Sequence, residues 1–229
     1  MSVATAEVRR RALRDQVYDR ILRSLLEGEE EPGQRLSIDL VARELDVSPT
    51  PVREAMVQLE RTGLVTREAL KGYRVAPPLD HRGLVELFDA RLMLESEATR
   101  LASARADEVR VVLRDAHDAH GEAARRLSDA LRGGASPVPL IRAYFEADAA
   151  FHRALFVGAG NRHLLAMHED LGALTHRMRQ AAIRGVDDVE EAHEEHRRIV
   201  EAFESAPAEA VERMRAHILG VRGRSLAAR

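Results

Sequence analysis

From His81 onward, apolar residues recur every three or four positions, and no segment shows the strict alternation that is typical of a strand. This pattern predicts helices at about 81–105, 107–132, 138–158, 161–184, 187–205 and 207–226. Glycine or proline lies at or near the breaks between most of these segments. Aromatic residues make up only 3% of the chain, which suits a helix-rich core. The sequence therefore predicts an all-α antiparallel helical bundle over residues 79–229.

The first 78 residues show shorter helical patterns that are followed by two β-prone runs. The helical patterns cover about 8–27, 38–45 and 49–61, and the β-prone runs cover 64–66 and 73–76. Three helices and a small β-hairpin wing are typical of a winged helix-turn-helix. Pro77-Pro78 then marks a domain boundary, because consecutive prolines stiffen the chain. We therefore expect a mostly α protein with domains at 1–78 and 79–229.

The apolar stripe of the 138–158 helix contains a carboxylate. Asp148 and His152 lie four residues apart on this stripe, and burying Asp148 is costly unless something neutralises it. His196 and His217 occupy similar apolar positions in the last two helices. One carboxylate and three imidazoles on inward faces predict a divalent metal site. Zinc suits these ligands best, and nickel or manganese also fits.

Other interpretations of these residues remain open. Asp148 could form a buried ion pair with an arginine, and His193 could replace His196 as a ligand, since it lies on the same face. A four-ligand site with an open position could also activate water, so a metal-dependent hydrolase is the alternative function. The remaining histidines are predicted to be surface or packing residues: His117, His120, His163, His168 and His176.

The motifs between residues 32 and 65 resemble the winged-helix domain of GntR-type bacterial transcription regulators. The matching elements, in order, are Pro32-Gly33, Leu36, Ala42, Leu45, Val47-Ser48, the run from Thr50 to Ala55, Leu59 and Gly63-Leu64-Val65. In such a unit the second helix of the motif enters the major groove with its N-terminal residues at the base edges. The resemblance implies DNA-binding residues in that helix and in the wing: Ser48, Thr50, Pro51, Arg53, Arg67, Lys71, Gly72 and Tyr73.

Three positions depart from the usual GntR pattern. Pro49 replaces an arginine, Ile38-Asp39 replaces an acidic and basic pair, and Asp46 replaces a glycine in the turn. Asp46 can adopt the left-handed backbone that the turn requires, so we expect the turn to form. Pro49 and Asp39 predict an operator sequence that differs from the usual one.

The second domain resembles the FCD class, which is the ligand-binding domain of the FadR subfamily. The matching segments are "RLMLESEATRLA", "DAAFHRALFVGAGN", "EEHRRIVEAF" and "MRAHI". The resemblance implies that the metal ligands are Asp148, His152, His196 and His217. It also implies that Arg91 and Asn161 contact a small carboxylate effector.

Together the two resemblances imply a metabolite-responsive transcription regulator, with repression as the expected mode, and no catalytic residues. The expected partners are double-stranded operator DNA, a small carboxylate metabolite and a second copy of the chain in a homodimer. The net charge of −3 means that DNA must be bound through a local basic patch. With no cysteine and no apolar run near the ~20 residues that span a bilayer, we expect a cytoplasmic protein without membrane contact.

Overall fold

In a computed structural model, the chain forms two compact units, Met1–Pro78 and Leu79–Arg229. The structure describes all of the backbone except residues 1–2, 28, 62, 69–71, 78, 136–137, 181–184 and 228–229. Within the helices, the side chains of residues 3–12, 26–27, 138 and 172–180 also lie outside the description.

The first unit consists of three helices and a small antiparallel sheet. Its elements are α1 (Val3–Glu27), β1 (Arg35–Leu36), α2 (Ile38–Glu44), α3 (Pro49–Arg61), β2 (Val65–Glu68) and β3 (Gly72–Val75). The strand order is β1-β3-β2. The sequence predicted β2 and β3 but not β1, because two residues are too few to show an alternation. Helix α1 packs against α3 through a shared apolar core that includes Leu22, Met56 and Leu59.

The turn between α2 and α3 contains Asp46, whose φ of 51° lies in the left-handed region. Asp is one of the few residues besides glycine that visits this region at modest cost. The turn therefore forms as expected, with aspartate in place of the family's glycine. Ser37 caps the start of α2, where its Oγ accepts a hydrogen bond from the N–H of Leu40 at 3.4 Å.

The second unit is a bundle of helices. Its described elements are α4 (His81–Ser103), α5 (Ala106–Arg132), α6 (Val138–Gly158), α7 (Arg162–Gln180), α8 (Val186–Ser205) and α9 (Ala210–Ala227), with a 3-10 turn at Pro207–Glu209. Helix α5 packs against α6 and α8, while α4 packs against α6 and α9. This architecture confirms the prediction of a mostly helical chain with one small sheet.

The core of the bundle contains large apolar side chains from several helices. Phe88, Phe151, Ile199 and Met214 have no exposed surface, and they belong to one continuous cluster. Polar side chains share this interior, which is unusual, because a buried ionisable group loses its hydration. They come from α4, α5, α6, α8 and α9, and include Arg91, Glu95, His120, Asp148, His152, His196 and His217.

Candidate metal centre

The four side chains that the sequence predicted as metal ligands lie together inside the bundle. Helix α6 supplies Asp148 and His152, α8 supplies His196, and α9 supplies His217. Their exposed fractions are 7%, 1%, 0% and 2% in that order. One ring nitrogen from each of the three histidines lies within 4.8 Å of those of the other two. Three separate helices thus bring their polar groups to one place.

The distances between these groups suit several ligands around one small ion. His196 Nε2 lies 3.3 Å from His217 Nε2 and 3.6 Å from Asp148 Oδ1. His152 Nε2 lies 3.8 Å from the same Asp148 oxygen. Ligands that bind zinc at ~2.1 Å with tetrahedral angles are roughly 3.4 Å apart. The observed separations are close to that value, so the residues present fit a divalent metal ion.

The Nδ1 atoms of two of the rings contact carboxylates. His217 Nδ1 lies 2.8 Å from Glu195 Oε2, and His152 Nδ1 lies 2.6 Å from Glu95 Oε2. Arg224 donates two hydrogen bonds to Glu195, at 2.9 and 3.0 Å. A carboxylate beside Nδ1 holds the proton on that nitrogen and leaves Nε2 free to bind a metal. The contact of His217 with Glu195 favours this tautomer, whereas the His152–Glu95 pair is close in distance but is not aligned as a hydrogen bond.

Charges around the site keep both carboxylates ionised. Burial disfavours the ionised form of Glu95, but the charge of Arg91 and the adjacent His152 ring outweigh burial and hold the pKa of the carboxyl well below its ordinary value. Burial also opposes ionisation of Glu195, and its hydrogen bonds with His217 and Arg224 lower its pKa overall. Burial lowers the pKa of His217 despite its contact with Glu195. Neutral imidazole is the form that binds a metal.

Arg91 lies next to this centre with part of its guanidinium group available. Its Nε donates to Glu95 Oε1 at 2.7 Å, and both side chains are only 4% exposed. Its buried Nη1 has no hydrogen-bond partner within the part of the chain that the structure describes. A buried donor without an acceptor is costly. Nη1 of Arg91 could therefore donate to an anionic ligand, and its contact with the effector stays a prediction.

Asn161 lies immediately before α7, and its side chain contacts the start of that helix. Its side-chain Oδ1 accepts hydrogen bonds from the backbone N–H groups of His163 and Leu164, at 3.0 and 3.3 Å. These two groups belong to the first turn of α7, so Asn161 caps that helix. The cap uses the side-chain oxygen of Asn161, and a contact between Asn161 and the effector stays a prediction.

Two further histidines, His193 and His120, lie in the same part of the bundle. His193 is half-buried and stacks on His117 at a centroid distance of 4.4 Å, and it belongs to neither group of converging ligand atoms. His120 was predicted to be a surface or packing residue; it is fully buried, which agrees with packing, and its Nδ1 lies 3.2 Å from His196 Nδ1. Its seven-residue spacing from Leu113 and from Leu127 places all three on one helical face, which was the available sequence signal.

Two of the remaining histidines lie on α7, in the part of the helix whose side chains the structure describes. His163 is exposed, and His168 is half-buried with its ring stacked on Phe156 at 4.2 Å. The side chain of His176 lies outside the described residues.

In the first unit, several predicted DNA contacts are exposed at the start of α3 and on the wing. Ser48, Thr50, Arg53 and Arg67 all face solvent. Gly72 is also exposed and has a φ of 92°, a conformation that favours glycine. Lys71 lies outside the described residues.

The structure corrects the predicted DNA contacts of Pro51 and Tyr73. Pro51 is buried in α3, and Tyr73 is only 6% exposed. Tyr73 points inward because side chains alternate along β3, where the burial order is exposed, buried, half-buried, buried. These two side chains therefore stabilise the unit and do not face DNA.

Comparison with known proteins identifies both units. Residues 13–75 match the family of bacterial regulatory proteins called the gntR family, and residues 86–220 match the FCD domain. The HTH-type transcriptional repressor GlaR of Escherichia coli is 30% identical, over 88% of this chain and 90% of that protein. The chain belongs to the GntR family of transcription regulators. Its FCD domain fits the FadR-like subfamily.

Further similarities agree with this assignment. The probable D-xylose utilization operon transcriptional repressor of Paenarthrobacter nicotinovorans is 29% identical, over 95% of this chain and 90% of that protein. Two solved structures share the fold, McbR/YncC of E. coli and a GntR transcriptional regulator of Rhodococcus sp. RHA1. McbR/YncC has a TM-score of 0.59 at 21% identity, and the match covers 94% of this chain and 96% of that one. The Rhodococcus regulator has a TM-score of 0.60 at 18% identity, and the match covers 94% of this chain and 98% of that one.

The function of the GntR regulator follows from the family. Its relatives are DNA-binding transcription regulators and not enzymes, so the alternative of a metal-dependent hydrolase has no support. The FCD domain is an effector-binding domain for which metal binding is known, and this chain has buried histidine and aspartate groups that could hold an ion. Among the described residues, no helix has the length and apolarity that crossing a bilayer requires.

Proposed function

We propose that the FCD domain, residues 79–229, senses a small carboxylate metabolite at a divalent metal site and thereby alters operator binding by residues 1–78. The ion would be held by Asp148, His152, His196 and His217. The observation that carries this proposal is the convergence of these four buried groups from α6, α8 and α9. When bound, the ion would supply positive charge and a coordination position for an oxygen of the effector.

The charges of the four groups support a metal ion rather than a purely structural cluster. Asp148 is negative and only 7% exposed, while burial disfavours a positive charge on His217. A divalent cation offsets the aspartate charge and binds imidazole in its neutral form, so burial of the whole set becomes favourable. Zinc fits best, since it combines nitrogen and carboxylate ligands at these separations; nickel and manganese also accept such ligands.

Arg91 supports a carboxylate as the effector. A guanidinium group presents several N–H donors in a plane, and Arg91 uses Nε for Glu95 while Nη1 remains available in the buried site. An effector carboxylate that accepts from Nη1 would satisfy this donor. The hydrogen bond would be charge-assisted, which makes it stronger than one between neutral groups.

The first unit supports a recognition function for α3. Thr50 and Arg53 are exposed in the first two turns of this helix, where major-groove contacts are made in helix-turn-helix proteins. Arg53 can bind guanine or phosphate, and Arg67 on β2 can contact the DNA backbone. Effector and operator binding would be linked by a coupling free energy of about 1–3 kcal/mol, which changes operator affinity roughly 5- to 150-fold.

The regulator is proposed to act as a homodimer, because a two-fold protein matches paired operator half-sites. The first helices of the bundle are the proposed contact surface. Met93 of α4 is 66% exposed, and Val111 and Val112 of α5 are 55% and 57% exposed. Light scattering should show a dimer for the native chain and a monomer for Met93→Glu. The control Met167→Glu, at a position of α7 that is 52% exposed, should remain dimeric.

Elemental analysis after purification without chelator tests the metal site. We expect close to one divalent ion per native chain and almost none in the double variant Asp148→Ala/His196→Ala. The matched control is His163→Ala/Asp170→Ala, which removes the same two residue types from exposed positions of α7. Retention of one ion per chain in the first variant would show that the ligand set is wrong.

A thermal-shift screen of small carboxylic acids, with and without chelator, tests the sensor. A true effector should raise the melting temperature of the metal-loaded chain, lose most of this effect after chelation, and change operator affinity in a gel shift at ~150 mM salt. An acid that stabilises the chelated protein equally would bind elsewhere.

A further inference from the structure

His120 of α5 is a buried histidine that the proposed ligand set does not use. Its exposed fraction is 0%, and its ring centroid lies 4.7 Å from that of His196. The two Nδ1 atoms are 3.2 Å apart, within hydrogen-bond distance. His120 Nε2 is buried and has no hydrogen-bond partner among the described residues. Two imidazoles that face each other through Nδ1 can share one proton between them, with one ring donating and the other accepting.

The two nitrogens of His196 face different neighbours. Nε2 faces His217 Nε2 and Asp148 Oδ1, at 3.3 and 3.6 Å, whereas Nδ1 faces His120. A neutral imidazole carries one N–H and one lone pair. If His196 binds the ion through Nε2, its proton must be on Nδ1, and that N–H points toward His120.

We propose that His120 is a positioning residue for the metal site: its Nδ1 accepts the Nδ1–H of His196 and so leaves the Nε2 lone pair of His196 directed at Asp148 and His217. This inference rests on the proposed metal-binding function. It assigns to His196 the tautomer that the contact with Glu195 favours in His217. Burial lowers the pKa of His120 to about 3, which agrees with a neutral ring that can accept a hydrogen bond.

The partner of His196 differs in charge from the partners of the other two rings. Glu95 and Glu195 are carboxylates, and each is bound to an arginine, Arg91 or Arg224. A third buried carboxylate beside His196 would need a third cation, because an unpaired buried charge is strongly destabilising. A neutral histidine avoids that cost while it still accepts a hydrogen bond.

The competing possibility is that His120 is itself a ligand. His120, Asp148 and His196 also bring ligand atoms within 4.8 Å of one another. In that arrangement His196 would bind through Nδ1, and its protonated Nε2 would face His217. Each group of mutually close ligand atoms contains three residues, and Asp148 adds a fourth to the group of His152, His196 and His217, with an oxygen 3.6 Å from His196 Nε2 and 3.8 Å from His152 Nε2. The larger set is favoured, and its rings His152 and His217 already have Nδ1 beside carboxylates.

Zinc titration of the metal-free protein tests the inference. The competitor is a chromophoric chelator, and the proteins are the native chain, His120→Leu, His120→Asn and His193→Leu. His120→Leu removes the acceptor and should weaken zinc binding about 10- to 100-fold. His120→Asn places an amide oxygen near the position of Nδ1 and should restore most of the affinity. His193→Leu makes the same change in the ring that lies 5.6 Å from His120 and should bind zinc like the native chain.

Several results would overturn the role of His120. Native affinity in His120→Leu, or an equal loss in His193→Leu, would show that no specific hydrogen bond is involved. Loss of one nitrogen ligand in the X-ray absorption spectrum of zinc-loaded His120→Asn would make His120 a ligand. If the native chain itself binds no zinc, the proposed function fails together with this inference.

A second measurement uses only the native chain, so it does not depend on whether a variant folds. Long-range 1H–15N spectra of the zinc-loaded protein distinguish a protonated from an unprotonated ring nitrogen. We expect a protonated Nδ1 and a metal-bound Nε2 for His196. The opposite assignment would refute the proposal.

Discussion

The two units of this GntR regulator place their functional side chains in opposite environments. In the DNA-reading unit, Thr50 and Arg53 are exposed, and the apolar core beneath them is complete without them. In the bundle, Asp148, His152 and His196 lie within the core itself. We therefore expect that DNA binding can be removed from the first unit without loss of stability, whereas in the second unit changes to the proposed ligands should affect both function and folding. Substitutions at matched positions test this difference.

Arg91→Ala should have the largest effect on stability. It leaves the buried Glu95 carboxylate without its arginine, and breaking a buried ion pair costs about 3–5 kcal/mol. The matched control is Arg82→Ala on the same helix. Arg82 and Glu86 have the same spacing and the same 2.7 Å contact, but their side chains are 86% and 62% exposed. Chemical denaturation should show almost no change for the control. Equal losses in both variants would contradict the distinction between buried and exposed ion pairs.

Arg53→Ala should remove operator binding and leave stability unchanged. A good contact between arginine and guanine contributes about 1–3 kcal/mol for each half-site. Gel shifts would measure the loss of affinity, and circular dichroism with elemental analysis would measure helix and metal content. Arg61→Ala, at the other end of α3, is the matched control and should retain binding. An unchanged footprint for Arg53→Ala would exclude Arg53 from the interface.

Metal removal should affect only the bundle. An ion present at about 100 times its dissociation constant stabilises the folded state by about 2.7 kcal/mol. Hydrogen exchange followed by mass spectrometry should therefore become faster in α6, α8 and α9 after chelation. Exchange in α3 should not change, since its core contains none of the ligands. Faster exchange in α3 alone would place the ion elsewhere.

Acid should destabilise the metal-free protein gradually, and the loss for each pH unit is smaller than the effects above. Burial lowers the pKa of His120 from 6.5 to about 3, so between these values the unfolded chain takes up a proton that the folded chain does not. Stability should therefore fall as the pH falls from 6.5 toward 3, by up to about 1.4 kcal/mol per pH unit from this group. Denaturation of His120→Asn should show a shallower slope, and an unchanged slope would argue against a neutral buried His120.

The sequence predicts some parts of these two units much better than others. Asp148 and His152 could be placed on one face because their four-residue spacing is a local property of the helix. The contacts of Glu95 with His152 and of Glu195 with His217 could not, since they depend on which helices are neighbours. Periodicity gives the direction of a side chain but not the group it meets.

The positions of Tyr73 and Asn161 could have been predicted from local patterns, whereas strand β1 could not. The inward position of Tyr73 follows from the alternation of β3, which the motif-based assignment of DNA contacts did not apply. Asn161 is followed by a helix, and Asn is among the preferred N-cap residues, so its capping role could also have been predicted. Strand β1 could not, because its two residues are fixed by pairing with Tyr73 and Arg74 of β3.

The proposed ligands come from α6, α8 and α9, and metal binding by them would have a consequence for the lifetime of the protein. An ion that joins Asp148 to His217 closes a loop of roughly 70 residues and acts as a removable crosslink, which restricts the unfolded chain. Proteases attack polypeptides mainly when they open. In a cell with little of this metal, proteases would then degrade the regulator faster. The abundance of the regulator, as well as its activity, would depend on the supply of the ion.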